Sequence, residues 1–487
     1  MSSALAHSAA RGAFFTLAAQ VAKIVLQFLS VIVLARLLSP HDYGLLAIVL
    51  VVVGVGEIFR DFGLTTASIQ APVLTRGQRD NLFWINTAIG VVLTIAMFFL
   101  AWPIEAVTGE PEIVGMVHWL AVLFLLNGLA TQHRANLARD LKFKAMAVIE
   151  VSAAAIALTV AVVSALLGAE YWALVAQQLT SGVVVLAGSV IAGRWLPRWY
   201  SRQDSVRDLI SFGWNIVATN LLVYTGSQID TIIVGLKFGT SPLGLYNRAF
   251  QLVMTPLSQV RSPTKNVALP VLSRVQEDAP RFDNYVTAAQ LLLGYGLGIP
   301  LILVTALADP IVRVMLGPQW LGAIPIVALF AVAGLLTTLS FVGYWVYLSR
   351  GLGKQLFRYT IVTTIIKIIC IVVGSSFGVL GVAVGFAVAP AISWPLSLFW
   401  LSRVTPMPTA RLYAGAARIL IVAALTGSAA WGAAQLVSPA GSVLMILAGI
   451  FAGLVAAAAP LILPIYRRDA RNLTGFLRLM LKRQPRP

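Results

Sequence analysis

The chain has 487 residues, of which 59% are hydrophobic and 11% charged, and carries a net charge of +17. That apolar balance excludes a soluble globular protein, and basicity that would suggest nucleic acid in a soluble chain is accounted for here by membrane topology. The single cysteine, Cys370, lies in an apolar stretch, which excludes a disulfide framework and a multi-cysteine metal site.

Fourteen apolar stretches are each long enough to cross a bilayer, whose ~30 Å hydrocarbon core takes roughly 20 residues of helix. The first spans 13–38 and carries Lys23. The small residues of 4–10 precede the apolar run instead of following it, so no signal peptide is expected and the first helix is retained. The second, 43–69, holds Glu57, Arg60 and Asp61 on one face, at spacings of three and four. Stretches 82–102, 114–133, 145–167 and 172–193 follow, with Glu150 near the start of the fifth. Beyond a Trp- and Arg-rich break at 194–208 come 209–236 with Asp230 and 243–267 with Arg248, and Lys237 lies in the gap between them. The remainder are 285–307, 323–348, 359–377 with Lys367, 379–401, 412–437 with Arg418, and 442–465.

Almost every Lys and Arg outside these stretches falls in alternate gaps, and the gap holding Glu105, Glu110 and Glu112 has none. By the positive-inside rule both termini are cytoplasmic, and only Arg36, Lys237 and Arg313 face outward. A weak internal repeat at an offset of 200 residues lays Ile32 over Ile232 and Gly44-Leu45 over Gly244-Leu245. The expected fold is therefore an all-α integral membrane protein of 14 transmembrane helices. Two six-helix lobes, 1–193 and 209–403, are related by a parallel pseudo-two-fold and joined by the basic cytoplasmic linker 194–208. Two further helices occupy 404–466, and 467–487 is a basic amphipathic cytoplasmic tail suited to anionic inner-leaflet lipid.

Catalytic motifs are absent. Gly374-Ser375-Ser376-Phe377-Gly378 fits the nucleophile-elbow pattern formally, but it lies in a turn between two spanning helices and is read as a tight turn. Gly381-x3-Gly385 and Gly449-x3-Gly453 read as close helix packing. No P-loop occurs, and no metal site or cofactor is expected.

Intramembrane charges carry the functional signal, because each costs something like 2.5–3.5 kcal/mol to insert and therefore faces a cavity or a partner. Two readings stand side by side. In one, Arg60 pairs with Glu57, and Asp230 with Lys237 or Arg248. In the other, Lys23, Arg60, Arg248 and Lys367 form a cationic ladder for a diphosphate, whose oxygens suit such donors. Lys23 and Lys367 have no acidic neighbour in sequence, and both are expected near mid-bilayer; Glu150 and Arg418 lie close enough to the inner surface to snorkel. Asp230, Glu57 and Asp61 are candidates for gating or for binding a coupling ion, H⁺ or Na⁺.

The run Leu38-Ser39-Pro40-His41-Asp42-Tyr43-Gly44-Leu45 and the later Asp61-Phe62-Gly63-Leu64 resemble the opening of the polysaccharide-exporter family. So do Asp230-Thr231-Ile232-Ile233-Val234-Gly235, Leu243-Gly244-Leu245-Tyr246-Asn247-Arg248-Ala249 and Pro256. These are the Wzx-type O-antigen and exopolysaccharide flippases of the multidrug/oligosaccharidyl-lipid/polysaccharide superfamily, in the subgroup of colanic-acid and teichuronic-acid exporters. The resemblance implies a non-enzymatic flippase that moves undecaprenyl-diphosphate-linked repeat units across a bacterial inner membrane by alternating access, for exopolysaccharide, capsule or O-antigen (lipopolysaccharide) synthesis. It also implies polysaccharide polymerase or export machinery as partners, and a diphosphate held by cations on helices 1, 2 and 8, which Lys23, Arg60 and Arg248 match in helix number and charge. The alternatives are a lipid II-type precursor flippase and a cation-coupled multidrug antiporter. The antiporter needs a buried carboxylate on the first helix, where this chain has Lys23 and no Asp or Glu.

Overall fold

The computed structural model describes residues 3–61, 74–201 and 207–471. Among them, every long element is an α-helix, as a bilayer requires of segments that must satisfy their own backbone. The long helices are α1 (Ser3–Leu37), α2 (Pro40–Asp61), α3 (Arg76–Thr108), α4 (Glu112–Arg139), α5 (Phe143–Leu166), α6 (Trp172–Gly193) and α7 (Arg207–Phe238). They continue with α8 (Thr240–Arg274), α9 (Ala279–Ala306), α10 (Ile324–Ser349), α11 (Gly353–Gly374), α12 (Gly378–Val404), α13 (Thr409–Leu436) and α14 (Ser442–Ala458). A short helix, Ala308–Met315, lies between α9 and α10.

Eleven helical stretches of the described residues are long and apolar enough to cross a membrane. α11 and α12 form one of these, Gly353–Val404, and α7 and α8 are not among them. The chain is a multi-pass membrane protein. The helices overrun the apolar cores read from sequence: α3 has 33 residues, about 50 Å at 1.5 Å per residue. In the second stretch α2 begins at Pro40, three residues before the apolar run, and is described as far as Asp61; 62–69 lies outside the described residues. So does 472–487, most of the amphipathic tail.

Local chemistry sets the ends. Asp42 Oδ2 accepts from the backbone N–H and hydroxyl of Ser39, both at 2.8 Å, which fixes the first turn of α2. Thr75 and Gln78 form a reciprocal capping box at α3, and Gly109 closes that helix at φ 74°. Ser375–Phe377 makes a single 3-10 turn between α11 and α12, as the sequence suggested, and Gly378 leaves it at φ 84°. The two Gly-x3-Gly pairs are packing devices. A Cβ on Gly385 would overlap the Cys370 carbonyl, and one on Gly449 would overlap Leu307.

By internal contacts the chain forms two compact units, Met1–Asn247 and Arg248–Pro487. In the first, α3 packs on α4, α4 on α6, α5 on α6 and on α1, and α2 on both α4 and α7. In the second, α9 packs on α10, α10 on α12, and α11 on α12, while α13 lies against α9 and α14. The pairings 3–4, 4–6 and 5–6 thus recur six helices later as 9–10, 10–12 and 11–12. α2 and α4 are the interior helices of the first unit, α9 and α10 of the second; the others present side chains such as Phe99, Val148 and Phe451 outward, where lipid is the solvent.

The offset-200 repeat has a physical counterpart inside the first unit. A Cβ on Gly44 would run into the Thr240 carbonyl, and a Cβ on Gly244 into the Pro40 carbonyl. Pro40 and Gly44 stand 200 residues before Thr240 and Gly244, so the contact is reciprocal. Glycine at both positions lets the first turns of α2 and α8 cross backbone to backbone.

Candidate functional site

In the first unit Glu57 and Arg60 sit one turn apart on α2, and Arg60 Nε donates to Glu57 Oε2 at 2.6 Å. Asn127 Nδ2, from α4, donates to the other Glu57 oxygen at 2.8 Å, and an Arg60 terminal nitrogen donates to the Thr131 hydroxyl. Asn127 and Thr131 are four residues apart on one face of α4. Both carboxylate oxygens are therefore engaged. The pairing reading holds for Arg60, whose side chain is 14% exposed. The side chain of Asp61, the third charge on this face, lies outside the described residues.

Lys23 acquires an acid from another helix. Its Nζ donates to Glu150 Oε2 of α5 at 2.9 Å, and Arg134 of α4 donates to Glu150 Oε1 at 3.2 Å. Glu150 does not merely snorkel; it bridges two cations. One carboxylate between two cations leaves the group with a net positive charge, with Lys23 40% and Arg134 47% exposed. Glu150 is seven residues into α5, about 10 Å from its start, and Lys23 meets it there from α1. Asp230 is buried on α7 and its Oδ2 accepts from the Tyr246 hydroxyl at 2.9 Å.

In the second unit the cations meet rings. Arg248 is 3% exposed, donates to Gln251 Oε1 at 2.9 Å, and lies 6.0 Å from the Trp320 ring centroid. Lys367 Nζ stands 5.0 Å over Phe386, whose ring makes edge contacts with Phe250 and Phe330. Arg261 over Phe341 and Arg350 over Phe282, each at 4.2 Å, repeat the arrangement. Arg418 departs from this pattern, reaching Asp469 through two hydrogen bonds at 2.7 and 3.1 Å, and Arg313 and Arg281 likewise pair with Asp309 and Asp278.

Sequence reasoning thus found Arg60–Glu57 as a pair, named Lys23 and Lys367 without their partners, and set Asp230 against Lys237 or Arg248, where Tyr246 donates to Asp230 and Arg248 donates to Gln251. Glu150, Arg134, Asn127, Thr131, Tyr246 and Phe386 were missed as members of the site. For Asn127 and Thr131 a signal existed, since isolated polar residues four apart in an apolar helix mark one face. The Lys23–Glu150 contact joins residues 127 apart and leaves no trace in local spacing.

The family described as polysaccharide biosynthesis protein matches residues 33–325. The chain belongs to that family. The lipopolysaccharide biosynthesis protein WzxC of Escherichia coli K12 is 26% identical over 397 residues, covering 80% of each chain. The succinoglycan biosynthesis transport protein ExoT of Rhizobium meliloti is 27% identical over 70% of this chain and 69% of its own. The teichuronic acid biosynthesis protein TuaB of Bacillus subtilis is 25% identical over 62% of this chain and 63% of its own. The Wzx-type resemblance read from the motifs at Leu38–Leu45 and Leu243–Ala249 is thereby borne out. In fold, the family member is similar to the lipid II flippase MurJ in an inward closed conformation. The TM-score is 0.69 at 15% identity, covering 94% of this chain and 99% of that one. An inward-facing multidrug resistance MATE family transporter follows at TM-score 0.61 and 14% identity, over 82% and 99%.

Proposed function

We propose that this protein is a flippase for polyprenyl-diphosphate-linked oligosaccharide repeat units, working by alternating access in a bacterial inner membrane with both termini cytoplasmic. The observation that carries the reading is the alignment with a lipopolysaccharide biosynthesis protein over 80% of both chains. The chemistry supports it. The Lys23–Glu150–Arg134 group is net positive and half-open, so an anion can replace part of Glu150's role without leaving a buried charge bare. Between Asp309 and Asp469 the sequence has no Asp or Glu, yet it carries Lys367 and Arg350. A diphosphate passing those cations meets no carboxylate from that stretch competing for them. The pairing pattern that recurs after six helices supports two repeats moving against one another. On this reading the linker 194–208 joins the repeats, and 404–466 is an addition to them. Glu57 and Asp230 are the groups through which H⁺ or Na⁺ coupling would act.

A strain lacking the protein tests the reading by mass spectrometry of its lipid-linked sugars, with surface polymer assayed in parallel. Accumulated polyprenyl-diphosphate oligosaccharide with loss of polymer is expected. An unchanged lipid-linked pool and unchanged polymer, in a strain with no second flippase, would overturn it.

A further inference from the structure

One cluster lies away from the cationic groups, at the opposite end of α4 from Arg134. Three helix starts meet there: His41 in the first turn of α2, Thr240 at the start of α8, and Glu112 at the start of α4, with Glu110 in the turn before it. Thr240 Oγ1 donates to Glu110 Oε1 at 2.7 Å and lies 2.8 Å from His41 Nδ1. A hydroxyl has one hydrogen, and Glu110 receives it. With His41 Nδ1 donating to Thr240, Nε2 is the ring nitrogen left to serve as a ligand. A separate observation points to a ligand: Glu112 Oε2 is shielded from solvent yet has no hydrogen-bond partner. One ligand atom each from His41, Glu110 and Glu112 all lie within 4.8 Å of one another.

We propose that His41, Glu110 and Glu112 form a binding site for a divalent transition-metal ion of the zinc or manganese class. Two carboxylates and one neutral imidazole balance a charge of +2. The nitrogen ligand favours a transition ion over Ca²⁺ or Mg²⁺, which take oxygen donors. Ligand atoms held about 2.0–2.2 Å from such an ion stand roughly 3–4 Å apart, so a small side-chain rotation closes the site. Thr240 is the outer partner that orients His41. All three ligand residues are half-buried, so an ion can enter and water can complete the coordination. The ion would tie the first turn of α2, the first turn of α8 and the α3–α4 turn together, beside the reciprocal Gly44–Gly244 crossing. The site involves none of the proposed substrate cations and stands or falls separately from the flippase reading.

The test is a Co²⁺ titration of the full-length chain without a histidine tag, in detergent after chelator dialysis, followed by visible absorption. Saturable uptake once per chain is expected, with d–d bands of nitrogen-containing coordination that Zn²⁺ displaces and Ca²⁺ does not. His41→Ala and Glu112→Gln should abolish it, and Thr240→Val should weaken it by roughly 10–100-fold, the usual cost of losing an outer partner. Metal-free melting temperatures of the three variants, equal to wild type, show that folding is intact. If either ligand variant misfolds, Thr240→Val carries the test. Absence of saturable uptake, uptake unchanged in the folded variants, or displacement by Ca²⁺ as readily as by Zn²⁺ would each overturn the assignment.

Discussion

In the unit Met1–Asn247 two of the cations proposed for substrate meet carboxylates, Lys23 with Glu150 and Arg60 with Glu57. In the unit Arg248–Pro487 cations meet aromatic faces, Lys367 with Phe386, Arg261 with Phe341 and Arg350 with Phe282. For Lys367 and Arg350 composition explains the difference: between Asp309 and Asp469 no acidic residue occurs, so a cation in α10 to α14 has to be stabilised by something other than a carboxylate of that stretch. An aromatic face attracts a cation without neutralising it. A carboxylate attracts and neutralises at once. The first unit therefore holds cations that an incoming anion must share with Glu57 or Glu150, and the second holds Lys367, Arg261 and Arg350 against rings that do not neutralise them.

The largest effect is expected where the second unit departs from its own pattern. Asp469 is the one acid of the described residues after Asp309; its side chain is 7% exposed, and it takes two hydrogen bonds from Arg418 and a third from the Tyr295 hydroxyl. Asp469→Ala leaves Arg418 uncompensated and should cost about 3–5 kcal/mol, read as a lowered midpoint of unfolding in detergent. A loss well under 1 kcal/mol would make this contact an incidental one. Next comes Glu57→Ala. Arg60 is then left with Thr131, and the cost should be about 2–3 kcal/mol, lower because Glu57 is 28% exposed. The double variant Glu57→Ala with Arg60→Ala should recover part of that loss. No recovery would mean that Glu57 acts through Asn127 instead.

The fold was largely legible because a bilayer leaves few options. Apolar runs such as 172–193 became helices within their stated bounds, and the Gly378 turn was marked by its glycine and serines. Helix ends were less legible. α3 begins at Arg76, six residues before its apolar core, because the Thr75–Gln78 capping box lies in polar sequence that hydropathy ignores. α7 and α8 were read from their apolar residues and are continuous helices over Arg207–Phe238 and Thr240–Arg274. The site was legible only where its contacts are local. Glu57–Arg60 lies within one turn of helix, whereas Lys23–Glu150, Asp230–Tyr246 and His41–Thr240 are tertiary.

Smaller effects separate the two modes directly. Phe386→Leu keeps the volume near Lys367 but removes the ring face, and should cost about 0.5–2 kcal/mol, unrelieved by added salt. The Lys23–Glu150 pair should behave oppositely. With Lys23 40% and Glu150 31% exposed, Glu150→Gln should cost under about 1 kcal/mol, diminishing as salt rises. Its value for function is out of proportion to that number. If Lys23 holds diphosphate, Lys23→Ala lowers export at normal protein level, while Glu150→Gln, which keeps the cation and removes its competitor, retains or raises substrate affinity. Equal loss of export in both variants would assign the pair to structure alone, and would leave the ring-sheltered cations of the second unit as the anion's partners.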